Sequence, residues 1–265
     1  MTQWAEWTKI GPLLVDTFQE LRQTFARHDR RQLIENRSRD LRFLYRSYIT
    51  RHRELEPFAP AWHEVARTEP FRTIIYTTPP ETKISIIDLR QHMEEFPRIV
   101  EEWKERANSF LLDLLSQDVN DHANGRRRKG KGKERTPDLS VLERATTIFA
   151  CKWCSDCLLY PHVLSHRCLN MRRTKIDEQE VEEIEPNALW NEGHDQVSFD
   201  TVASEAAITV IRALGEDPST VTWKQLDQSP KRVECVSCAK ERGSCRRLVM
   251  TWRQAVSVSL LDLKE

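Results

Sequence analysis

The chain has 265 residues and a mass of 31.2 kDa, enough for one large domain or two modest ones. Its 41 Lys+Arg are balanced by 41 Asp+Glu, so overall charge selects no class of partner, and 31% charged residues make it more polar than an average globular chain. Only seven Gly are present, which excludes a Gly-x-Gly-x-x-Gly dinucleotide turn and a Gly-x-Ser-x-Gly nucleophile elbow.

Met1–Val15 contains Glu6 and lacks both a basic start and a cleavage site, and no run approaches the ~18 apolar residues of a membrane span. The expectation is an intracellular protein with no membrane partner. From Pro12 to Glu56 the residues Leu14, Phe18, Leu21, Phe25, Leu33, Leu41, Leu44, Tyr45 and Tyr48 recur mostly at steps of three and four, which predicts helix. Arg22 to Arg53 carries ten Arg against Asp29, Glu35 and Asp40. That excess invites a nucleic-acid reading, although charges on a helix face are more often simply solvated.

Pro57, Pro60, Pro70, Pro79 and Pro80 break the next stretch into short helices, with one candidate strand around Ile74–Thr77. In this stretch His63-Glu64 begins a zinc-protease pattern, but the position four residues after the His is Arg67, so the pattern fails. A second amphipathic helix is predicted over Phe96–Leu115, with Ile99, Trp103, Phe110, Leu111 and Leu114 on its apolar side. Residues 1–116 therefore read as a mostly helical domain.

Residues 117–137 have no apolar period, and within them 126–135 carries Arg126, Arg127, Arg128, Lys129, Lys131, Lys133 and Arg135 against one acid. Such a block repels itself and stays solvated, so a disordered linker is expected. It suits an importin-type receptor, and thus the nucleus, or direct contact with a polyanion. Gly125 to Gly132 resembles a phosphate loop until Gly132, where a hydroxyl would be needed to hold magnesium. Residues 138–265 form the second predicted domain, interrupted near 177–186 by an acidic loop with six acids and no base between Asp177 and Glu185. Within it Ser140-Val-Leu-Glu143, Thr222-Trp-Lys-Gln225 and Thr251-Trp-Arg-Gln254 are shaped as capping boxes. Phe199–Leu214 is helical in period and stops at Gly215. The fold class expected is α+β, mainly α: a helical N-terminal domain, a basic linker and a small zinc-stabilised α+β domain.

All seven Cys lie at or beyond residue 151. Two Cys separated by two residues can aim both sulfurs at one ion, and two such pairs complete the tetrahedron that zinc accepts. Here they are Cys151-x2-Cys154, followed by His166 and Cys168, and Cys235-x2-Cys238, followed by Cys245. An odd Cys count without a secretory signal argues against a disulfide framework. Cys151, Cys154 and Cys157 begin like a bacterial ferredoxin, but Pro161 stands where its fourth Cys belongs. Zn2+ is the expected cofactor. The first grouping closes locally as Cys151, Cys154, His166 and Cys168, leaving Cys235 and Cys238 to find partners among Cys245, His194, Cys157 and His162. The competing grouping joins Cys151 and Cys154 to Cys235 and Cys238. Either fills the metal's coordination sphere and makes it structural, so no catalytic residue is expected.

Phe149-Ala-Cys-Lys-Trp-Cys154, Leu159-Tyr-Pro-His-Val-Leu-Ser-His-Arg-Cys168, and Cys235-Val-Ser-Cys238 with Met250-Thr-Trp-Arg253 resemble the C-terminal Cys/His-rich region of a set of uncharacterised, F-box-like proteins from mushroom-forming fungi. The resemblance covers roughly 140–257 and implies an intracellular fungal protein with paired Cys/His motifs and no known reaction. Met1–Glu56 does not read as an F-box. Where the resembling proteins carry a His after the Trp-Arg pair, this chain has Val256-Ser-Val-Ser259. The expectation is a non-enzymatic module that binds a protein partner. The alternative is a zinc-dependent nucleic-acid binder.

Overall fold

A computed structural model describes residues 3–122, 138–154, 156–170, 189–234 and 248–262. These divide into two compact units, and the fold class is α+β, mainly α.

The first unit is built on α1, Gln3–Arg51, which begins nine residues before Pro12. From Leu13 onward the side chains of α1 are exposed as far as Gln32, and beyond it Ile34, Leu41, Leu44 and Tyr45 turn inward. They meet α2 (Trp62–Ala66), α3 (Ile86–Arg90) and the start of α4 (Phe96–His122). Phe96 stacks edge-on against Tyr45 at 5.3 Å and lies 5.2 Å from Phe71, both measured between ring centroids. Ser85 caps α3 through a reciprocal box with Asp88. Thr73–Thr77 is one turn of π-helix, not the strand its β-branched residues suggest; the Thr78 N–H donates to the Thr73 carbonyl at 2.9 Å. Ile75 alone is fully buried there, and anchoring one side chain overrides the local β preference.

The second unit contains a three-stranded antiparallel sheet with β1 (Ile148–Cys151) between β2 (Cys157–Leu159) and β3 (Val197–Phe199). Ile148 pairs with Leu159, and Phe149 pairs with both Leu158 and Phe199. Because successive strand residues point to opposite faces, Ile148 and Leu159 serve one core and Phe149, Cys151, Leu158 and Val197 another. Over the first face packs α5 (Thr201–Ala213), together with α6 (Trp223–Gln228) and α7 (Trp252–Asp262). Asp200 caps α5 by accepting from the Ala203 N–H, and Gly215 ends it at φ +75°. The Gly215 and Glu216 N–H groups then donate to the carbonyls of Arg212 and Ile211, a paired closure that a Cβ at residue 215 would strain. A two-stranded ladder of β4 (Val233–Glu234) and β5 (Val249–Met250) precedes α7.

Three expectations need correction. The predicted first domain ran unbroken to 116, but Arg53–Ala61 group with the second unit, as does α4 from Val100: Trp103, Ala107 and Leu111 lie in that unit's core with Phe149 and Leu158. Amphipathic spacing shows that a helix buries a face without naming what covers it. The predicted linker began at 117, whereas α4 runs to His122; residues 123–137, with the whole basic block, lie outside the described residues. Ser140 is not a cap: Asp138 caps the 3-10 turn Leu139–Glu143 by accepting from the Ser140 N–H. The boxes at Thr222–Gln225 and Thr251–Gln254 form as their sequences require.

Candidate metal centre

Cys151 closes β1 and is almost fully buried, since its side chain falls on the Phe149 face. Beyond it the chain turns sharply. The Trp153 N–H donates to Cys151 Sγ at 3.4 Å, which directs that sulfur. Lys152 fixes the outside of the turn: its N–H donates to the Gln196 carbonyl at 2.9 Å, and its ammonium pairs with Asp195 at 2.6 Å. The Asp195 carboxyl is held below the usual range by that hydrogen bond and charge.

The other two donors come from the segment after β2. Val163 and Leu164 are buried, and their N–H groups donate to the carbonyls of Leu159 and Pro161. This compact turn brings His166 back toward Cys154, with Nε2 3.2 Å from Sγ. Cys168 follows on the 3-10 turn Arg167–Asn170, anchored by the buried Leu169. The Leu169 carbonyl accepts from the Asn191 N–H at 2.8 Å, and Trp190 Nε1 donates to the Val163 carbonyl at 3.4 Å. Residues 190–196 thus clasp the segment that carries His166 and Cys168. Asn191 and His194 adopt positive φ within this clasp. No signal in the sequence marked it.

The ligating atoms of Cys151, Cys154, His166 and Cys168 all lie within 4.8 Å of one another, an arrangement that can hold a metal ion. Tetrahedral zinc with bonds of ~2.0–2.3 Å spaces its donors by roughly 3.5–3.8 Å, so closure on an ion needs only small side-chain adjustments. Three sulfurs and one imidazole are the donor chemistry of a closed site. Burial pushes the Cys154 thiol up to about 12, with the neighbouring Cys151 adding to the effect. Burial also lowers His166, against the opposing pull of Asp156. Without a cation the pocket therefore favours neutral donors; a bound divalent ion reverses this for the thiols by displacing their protons.

Of the other ligand candidates, Cys157 packs into the core beneath α5, His162 lies 5.8 Å from the Trp223 ring, and His194 lies 5.4 Å from the Phe110 ring. None belongs to the four-residue group. Cys235, Cys238 and Cys245 lie outside the described residues, as does Asp177–Glu185. His63 and Glu64 are buried in α2. Neither a family model, nor a curated protein, nor a solved structure matches the chain. Among the described residues, no helix is long and apolar enough to cross a membrane.

Proposed function

We propose that Cys151, Cys154, His166 and Cys168 bind one structural Zn2+ ion, and that the chain is an intracellular, non-enzymatic module that presents its folded surfaces to a protein partner. The convergence of these four donors within 4.8 Å is the observation that carries the reading. Zn2+ displaces the thiol protons to solvent and ties the end of β1 to the turn at Cys168. Structural zinc contributes an apparent ~10–16 kcal/mol to folding in small domains, which suits a unit whose sheet has strands of only three or four residues. With four protein donors the ion has no open position for activating water, consistent with a scaffold role. The resemblance to fungal F-box-like proteins supports an adaptor within the same reading.

Native mass spectrometry of the full chain with and without chelator tests the metal directly. The expected result is at least one zinc ion per chain, one fewer in Cys154→Ser/Cys168→Ser, and an absorption spectrum of tetrahedral thiolate coordination when Co2+ replaces zinc. A chain that carries no metal at neutral pH overturns the proposal.

A second reading rests on α1, where Arg22, Arg27, Arg30, Arg31, Arg39, Arg42 and Arg46 are all exposed. That excess of exposed cations, with the basic block at 126–135, suits a polyanion. Nucleic-acid binding that falls steeply with salt favours this reading, because neutralised phosphates release counterions. Absence of binding at low salt removes it.

A further inference from the structure

Ser229-Pro230-Lys231-Arg232 joins α6 to β4 without belonging to either element; Pro230, Lys231 and Arg232 are exposed and Ser229 is half-buried. Ser229 is extended, at φ −73° and ψ 133°, the conformation that a following Pro enforces. Its hydroxyl oxygen accepts from the Lys231 N–H at 3.2 Å, and the hydroxyl proton meets no acceptor among the described residues. The backbone around it is held from both sides. The Ser229 N–H donates to the Leu226 carbonyl at 3.2 Å, and the Lys231 ammonium reaches the Leu214 carbonyl at 2.9 Å and Glu216 at 2.6 Å. Arg232 Nη1 donates to the Ser229 and Lys231 carbonyls at 3.1 and 2.8 Å, and this guanidinium pairs with no carboxylate among the described residues.

We propose that Ser229 is a phosphorylation site for a proline-directed protein kinase that also selects a cation three residues after the phosphoacceptor. Such an enzyme holds its substrate extended in a closed cleft. A Pro after the hydroxyl residue leaves no N–H to go unsatisfied there, and Arg232, at the third position, meets an acidic subsite. In the transfer Ser229 Oγ bonds to the γ-phosphorus of ATP as the bond from that phosphorus to the β–γ bridging oxygen breaks. The hydroxyl proton passes to the kinase's catalytic carboxylate, and ADP leaves. An intracellular chain, as proposed above, has that nucleotide at hand, and the metal centre takes no part. The sequence contains two other hydroxyl–Pro steps, Thr78-Pro79-Pro80-Glu81 and Thr136-Pro137-Asp138-Leu139, and both lack the cation. Thr78 is also engaged: its hydroxyl donates to the Thr73 carbonyl at 3.0 Å, and its own carbonyl accepts from Arg37 at 2.9 Å. A phosphate on Ser229 carries about −1.5 to −2 charge at neutral pH, which offsets the cations of Lys231 and Arg232. Arg232, already against the Ser229 carbonyl, is the cation placed to pair with it.

Incubation of the full chain with a purified kinase of this class and Mg2+–ATP, followed by mass spectrometry of the intact chain and its fragments, tests the site. The expected product is a chain phosphorylated at Ser229. Ser229→Ala loses that phosphate and Ser229→Thr keeps it, with unchanged helix content in both. Pro230→Ala, which restores an N–H, and Arg232→Glu, which reverses the recognised charge, each lower kcat/KM by about tenfold or more, whereas Arg232→Lys stays near wild type. Zinc content measured on the same samples keeps a failure here separate from a failure of the metal reading. A folded chain that is not modified at Ser229, phosphate at Thr78 or Thr136 in preference to Ser229, or a rate indifferent to both Pro230→Ala and Arg232→Glu overturns the proposal.

Discussion

Nε2 of His166 lies 3.2 Å from Sγ of Cys154, although twelve residues separate them in the chain. Two elements create that proximity, the tight turn after β1 and the folded segment between β2 and Cys168. A set of four donors tolerates exchange of one soft ligand for another but not its loss. His166→Cys is therefore expected to retain the metal. His166→Ala leaves three donors and is expected to weaken binding by more than about 100-fold, since loss of an outer-shell partner alone costs ~10–100-fold. Competition with a chromophoric chelator measures both; equal affinities for His166→Ala and wild type would remove His166 from the set.

Asp227 joins α6 to α7. Its carboxylate accepts from Arg253 Nε at 2.9 Å, Arg253 Nη2 at 2.7 Å and Trp252 Nε1 at 2.8 Å, and these bonds, Arg253 first, hold its pKa below the usual carboxylate range. A depressed folded pKa means that the unfolded chain binds the proton more readily. The contribution is thus complete above the unfolded value of ~3.9 and is lost as pH falls through the lower folded value. The ion pair is partly solvated, so its size is about 1 kcal/mol. Asp227→Asn is expected to flatten that part of the acid limb in a urea midpoint against pH profile, leaving midpoints above pH 5 shifted by a constant amount.

Much of this was legible in sequence because its determinants are local. The Thr222 and Thr251 boxes, the stop at Gly215 and the Cys151-x2-Cys154 pair each depend on residues within a few positions, and each forms as spaced. Grouping His166 and Cys168 with that pair was one of two open choices, because spacing limits which donors can meet without deciding which do. The clasp at 190–196 was invisible: the Asn191 N–H and the Gln196 carbonyl are backbone groups that any residue supplies, and the Trp190 and Asn191 side chains that complete it form no spacing pattern with the segment they hold. The π-turn at Thr73–Thr77 and the assignment of α4 failed for the opposite reason, since tertiary burial of Ile75 and Leu111 decided them.

That reassignment of α4 makes a prediction of its own. Leu111 is fully buried among Phe149, Leu158 and Leu164. Leu111→Ala is expected to cost ~2–5 kcal/mol through lost transfer energy and a residual cavity. The loss falls on the second unit. Hydrogen exchange should accelerate across β1 and β2 while the amides of α1 near Leu41, equally buried in the first unit, keep their protection. Leu41→Ala should give the converse pattern. Faster exchange near Leu41 in Leu111→Ala would return this part of α4 to the first unit.

Arg37 holds the first unit by a different means. It is buried, and its guanidinium donates to four carbonyls: Ile75 at 3.4 Å, Thr78 at 2.9 Å, Pro79 at 3.1 Å and Thr82 at 3.0 Å. These include the carbonyl of Ile75 within the π-turn and three from the loop that follows, groups with few alternative partners in a segment broken by Pro79 and Pro80. Burial lowers the Arg37 pKa, but from so high a starting value that the side chain stays charged at neutral pH. Charge-assisted hydrogen bonds contribute ~1.5–3 kcal/mol each in mutational series, and they are not additive when they share one donor group. Arg37→Leu keeps most of the volume and removes every donor, so a loss of ~2–4 kcal/mol is expected. Arg37→Lys should recover only part of it, because an ammonium cannot span the fork of carbonyls. Denaturant midpoints of the three proteins, followed with exchange at residues 73–82, check the order; equal stability of Arg37→Lys and wild type would show that charge alone suffices.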